Sequence, residues 1–202
     1  MTEKMSKKSF FSGLTFSGMI AVFGGFLLLA THKVGAQDKP KRETIQATAM
    51  GQQRASGKMF NVTVNIESYS TPEDQKLLID AFTSGGHNAL VRALSKMKSK
   101  GRVAITGTLG YQIAYIRSIP TENGRTIRLI TDRPIKFAEA YGSTRSKDYD
   151  LSGMEINIAQ EPKNSDGSLI VAGKFKVDKN QQVSFESYGS GPWKLVNIME
   201  RD

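Results

Sequence analysis

Residues 111–131 read YQIAYIRSIPTENGRTIRLIT, two apolar-rich runs separated by Asn123-Gly124. Asn-Gly between alternating runs is the strongest short-range hairpin signal, because both residues accept the positive φ of a tight turn. With Asn123 and Gly124 as the loop, Glu122 faces Arg125, Arg117 pairs with Ile130 and Ile119 with Arg128. Arg117 and Arg128 then share a face with Tyr111 and Tyr115, and Asp132 falls opposite Tyr115. Two guanidiniums beside phenol rings can hold a carboxylate, a sulfate or an anionic polymer through paired donors and stacking. The plainer reading is a solvated sheet face on which Asp132 neutralises an arginine.

Upstream of the hairpin, Phe60, Val62, Val64 and Ile66 alternate with Asn61, Thr63, Asn65 and Glu67, the period of two of a half-buried strand. Thr71-Pro72-Glu73-Asp74 then supplies a cap, a proline at the first helical position and acids at the positive helix end. Leu77, Leu78, Ala81 and Phe82 form an apolar stripe that Gly85-Gly86 interrupts before Leu90, Leu94 and Met97 resume it, which predicts two helices joined by a bend. Lys96, Lys98 and Lys100 suit the negative helix end, and Gly101 a left-handed stop. Val103 to Ile105 begins the strand-rich part. Further strands are expected at Ile135 to Ala138, Met154 to Ala159, Leu169 to Val177, Val183 to Tyr188 and Trp193 to Ile198. Asp166-Gly167 and Asp178 to Gln181 provide turns. One strand, two helices and then many short strands predict an α+β domain with a curved, mainly antiparallel sheet or partial barrel and a helical pair packed on it. Trp193 is expected to plug the core.

The first residues carry Lys4, Lys7 and Lys8, then the uncharged run Leu14 to Ala30, then Val34-Gly35-Ala36. A positive start, an apolar stretch and a small-residue exit are the parts of a signal peptide, with the cut expected after Ala36. An uncut membrane anchor is the rival, since the run is at the short end of a bilayer span. The expected organisation is a signal peptide over 1–36, a flexible tether over 37–56, within which Ile45 to Met50 could add a strand, and one domain over 57–202. The location is secreted or periplasmic, with membrane contact only if the leader stays. The formal charge of +9 falls to +6 on cleavage, and residues 92–133 hold nine basic and two acidic side chains.

Zero cysteines remove thiol catalysis and cysteine metal sites. Cleavage would leave His87 as the one imidazole, so no multi-histidine metal site is expected, and a triad would have to use a histidine with no nucleophile pattern beside it. Its plainer role is a polar residue starting a helix. Asp148-Tyr149-Asp150-Leu151-Ser152-Gly153 opens like a calcium loop, but Ala159 stands where the motif needs a bidentate carboxylate. No cofactor motif is present, and no nucleic-acid-binding signature accompanies the basic stretch. The segments MFNVTVNIESYSTPEDQ (59–75), ITGTLGYQIAYIRSIPTENGR (105–125) and PWKLVNI (192–198) resemble a group of uncharacterised exported bacterial proteins. That resemblance implies export and a single domain, and no site residues. The expectation is therefore a non-enzymatic exported domain that binds an anionic ligand or partner through Tyr111, Tyr115, Arg117 and Arg128. An envelope enzyme using carboxylate or Tyr and Arg side chains, and a membrane-tethered structural protein, are the alternatives.

Overall fold

The computed structural model describes residues 42–106, 108–135, 149–177, 183–188 and 191–201. The expected leader, the turn at 178–181, the strand at 136–138 and Asp148 lie outside them. Among these residues nine strands, one α-helix and two short 3-10 helices follow in chain order. β1 (Glu43–Met50) and β2 (Met59–Ile66) form a hairpin, and α1 (Pro72–Leu94) crosses to β3 (Gly101–Ile105), β4 (Tyr111–Thr121) and β5 (Gly124–Thr131). β6 (Leu151–Ala159), β7 (Asp166–Val177), β8 (Val183–Ser187) and β9 (Trp193–Arg201) complete the sheet.

The strand order is β6-β5-β4-β3-β2-β1-β9-β7-β8, and β6 also pairs with β7. That additional pairing closes an eight-stranded antiparallel barrel, with β8 attached outside to the second half of β7. The expected open sheet or partial barrel with a helical pair is corrected accordingly. The helical part is a single α1, kinked where Gly85 and Gly86 leave helical geometry, Gly86 at φ 61°. Closure depends on β1, which sits between β2 and β9. The strand expected over Ile45 to Met50 thus forms, as part of the barrel.

Alternation explains which side chains enter the lumen. Ile45, Ala47 and Ala49 of β1 join Val62, Val64 and Ile66 of β2 in one buried cluster with Ile127, Leu129, Ile156, Leu169, Trp193 and Leu195. An eight-stranded barrel is just wide enough for side chains to fill, and Trp193, 1 % exposed, meets the Phe60 ring at 4.8 Å in a tilted contact. The opposite faces of the same strands carry Thr44, Gln46, Thr48, Asn61, Thr63 and Asn65, with Thr44 donating to Asn65 and Thr48 to Asn61. On β1 and β2 the lumenal face is thus apolar and the outer face polar.

A second apolar cluster lies outside the barrel. Leu78, Leu90 and Leu94 of α1 pack there with Ala114, Tyr115, Ile170, Phe175 and Phe185. The helix begins where the capping residues predict. The Asp74 amide donates to Thr71 Oγ1 and the Thr71 amide to Asp74 Oδ2, with Pro72 at the first turn.

His87 is buried just after the kink. The Phe175 amide donates to its Nδ1 at 3.2 Å, so Nε2 carries the ring proton and donates to Asp150 Oδ1 at 2.6 Å. β6 no longer runs beside this part of β7, whose pairing with β6 ends at Leu151–Gly173. The imidazole thus takes the place of a strand carbonyl at a barrel seam.

Candidate functional site

The β4–β5 hairpin forms, but one residue earlier than Asn123-Gly124 suggests. Thr121 pairs with Gly124, leaving Glu122 and Asn123 at the turn, and Arg117 pairs with Arg128 and Ile119 with Thr126. Gly124 is needed in the strand itself: at φ 147° it abuts β6 so closely that a Cβ would run into the Ile158 carbonyl. The slip preserves alternation, so Arg117 and Arg128 still share a face, now as direct cross-strand partners.

Farther along, the register shifts between Ile113 and Tyr115. A bulge of this kind turns a strand over by one residue, and it separates the two tyrosines. Tyr115 packs in the outer cluster, whereas Tyr111 packs against the lumenal one, with Arg133 5.8 Å from its ring centre. Tyr111 therefore does not belong to the patch. Ile130, not Asp132, stands opposite Tyr115, and Asp132 lies 3.8 Å from Arg133.

Registers across four strands place two outward rungs side by side. One runs Arg117–Arg128–Glu155–Ser168 and the next Tyr115–Ile130–Gly153–Ile170. Because Gly153 has no side chain, the second rung is sunken there. Phe185 of β8 lies over it, and a Cβ on Gly153 would come within 2.5 Å of that ring. The result is an open groove with a cavity of about 70 Å³, apolar on the side of Ile130, Ile170, Phe175 and Phe185 and bordered by Arg117, Arg128 and Glu155.

The two arginines are not equivalent. Arg128 Nε donates to Glu155 Oε2 at 2.7 Å, a part-buried ion pair. Arg117 Nη1 donates to the neutral Gln75 Oε1 at 2.8 Å, and among the described residues no carboxylate lies within ion-pair distance of Arg117. Burial pushes the Tyr115 phenol up, and Arg117 beside it pulls the other way without cancelling the effect. The phenol therefore stays protonated at neutral pH, packed beside Arg117.

Residues beyond the hairpin that shape the groove, Gly153, Glu155, Ile170, Phe175 and Phe185, come from strands whose neighbours no local pattern names. Ser152-Gly153, the end of the calcium-loop-like run, is strand. Asp150, part of the calcium-loop-like run, is engaged by His87.

A separate polar cluster closes one mouth of the barrel. Arg125 donates to Glu43 Oε2 at 2.8 Å, to Tyr69 Oη at 3.1 Å and to Glu200, while Tyr69 donates to Glu43 at 2.9 Å. Burial, then the bond to Glu43, pushes the Tyr69 phenol up to about 12. Both carboxylates hold the same guanidinium, which ties β1, β5 and β9 together. Compared with protein-family models, with curated proteins and with solved structures, the chain finds no match.

Proposed function

We propose that this chain is an exported, non-enzymatic binding domain that receives an anionic ligand or partner in the groove on the outer face of β4 to β8. The observation that carries this reading is the rung Arg117–Arg128–Glu155–Ser168, which sets two cations against one carboxylate along the border of an apolar depression. Concave apolar sites with a few convergent polar groups are the usual form of a ligand site. The engagement of both His87 ring nitrogens in structural bonds also speaks for binding over acid–base catalysis. Export is supported by the basic start, the apolar run to Ala30 and the small-residue exit at Ala36.

Backbone NMR of the protein with sulfate, succinate or polyglutamate at constant ionic strength tests the binding. Amides of Arg117, Arg128 and Gly153 are expected to shift, and the double variant R117Q/R128Q to lose the response. Equal shifts with chloride alone, or shifts that survive the double variant, overturn the proposal. For export, N-terminal sequencing of the expressed protein should begin at Gln37, and a start at Thr2 refutes cleavage.

A further inference from the structure

The groove is more selective than an anion site. Its polar border and its apolar depression are adjacent rungs of one sheet, so their spacing is set by strand geometry, with rungs on one face two residues apart. Arg117 stands next to Tyr115 on β4, and the depression opens from there across Ile130 and Gly153 towards Ile170 and Phe185. A ligand whose charge meets Arg117 therefore has its remainder directed over hydrocarbon. A polyanion would have to lay further charges there, and a cation would meet Arg117 first.

We infer that the ligand is a free amphipathic monocarboxylate with a short, narrow hydrocarbon tail of about five to seven carbons beyond the carboxyl group. This rests on the reading of the groove as a ligand site and deepens it. The head is a carboxylate because Arg117, exposed on β4, offers planar guanidinium donors that match its two oxygens. The charge is single because Glu155 already engages Arg128 through Nε, leaving the rung with one net positive charge. The tail length follows from volume. A cavity of about 70 Å³ divided by the roughly 10–15 Å³ that one water-sized group requires gives about five to seven positions. Gly153 sets the depth, since any side chain there would meet Phe185 and fill the trough.

The test is an NMR and calorimetric titration with acetate, butyrate, hexanoate and octanoate, with octanol and hexylammonium as head-group controls. Affinity should rise roughly three- to fourfold for each methylene that enters the trough and level off beyond octanoate. The amides of Ile130, Gly153, Ile170 and Phe185 should report the tail. R117Q should weaken octanoate about tenfold or more, the usual worth of a charge-assisted hydrogen bond, and leave octanol unchanged. Octanoate binding no tighter than acetate, while sulfate or succinate still acts through Arg117 and Arg128, overturns the inference and leaves the anion reading standing. Hexylammonium binding as well as hexanoate overturns it too. Silence of the groove amides to every anion sinks both. Because R117Q changes a solvent-facing side chain, an unchanged spectrum away from the groove separates lost binding from lost fold.

Discussion

Replacing His87 with alanine tests the seam between the helix and the barrel. The substitution removes the bond from Nε2 to the Asp150 carboxylate, 2.6 Å long, and leaves the buried Phe175 amide without its acceptor. A hydrogen bond to a charged partner contributes about 1.5–3 kcal/mol, and orphaning a buried donor costs about 1–3 kcal/mol. Asp150 is 35 % exposed and recovers part of its loss from water. H87A should therefore destabilise the fold by about 3–5 kcal/mol, a large share of the roughly 5–15 kcal/mol that holds a domain together. Urea unfolding followed by fluorescence of the buried Trp193 measures the loss, and hydrogen exchange at the Phe175 amide localises it. D150A alone should cost less, and in the H87A background almost nothing, because the two share one bond. A cost for H87A below about 1 kcal/mol, or a D150A effect unchanged by H87A, would refute the role assigned to the imidazole.

Three further outcomes follow from the same structure. Tyr69, with its phenol pushed up to about 12, contributes stability that is fully present below the ordinary tyrosine range and is lost as pH rises through that value. Melting temperatures taken across the alkaline limb should fall less steeply in Y69F. Burial would raise the Asp74 carboxyl, but the bond from Lys100 and the Thr71 amide outweigh it and hold it below its usual range. Its contribution is therefore present at neutral pH and fades on acidification, and K100M should flatten the acid limb of the stability curve. Gly173→Ala pushes a methyl group into the Phe185 ring and should cost about 1–3 kcal/mol by overpacking. Equilibrium unfolding should show F185L recovering part of that loss, and no recovery would mean that Phe185 is not the obstruction.

Features governed by one segment were legible in the sequence. The alternation of Phe60, Val62, Val64 and Ile66 became β2, and Thr71-Pro72-Glu73-Asp74 became a capped helix start. Features that depend on a second segment were not. The run from Ile45 to Met50 announced a strand but not its place between β2 and β9, where Ala49 stands opposite Leu195. Barrel closure rests on β6 meeting β7, and pairing partners leave no trace in local periodicity. The same division runs through the candidate site. Arg117 and Arg128 share a face because parity survives a slipped turn, while Tyr111 left it because one bulge near Ala114 reverses parity. Glu155, which neutralises Arg128, replaced the expected Asp132 because β6 lies beside β5.

The pairing of β1 with β9 bears on how the chain reaches this state. Thr44 lies against Arg201 and Gln46 against Met199, contacts between nearly the first and last described residues. Contacts of such long sequence separation form late, because a long loop must close before they return any energy. Until β9 arrives, β1 and the first half of β7 each present an unpaired edge, and exposed edges are templates for pairing with other chains. Synthesis in chain order thus keeps the barrel open until its final strand is available. Truncation within residues 193–201 should yield an aggregating species and not a smaller barrel.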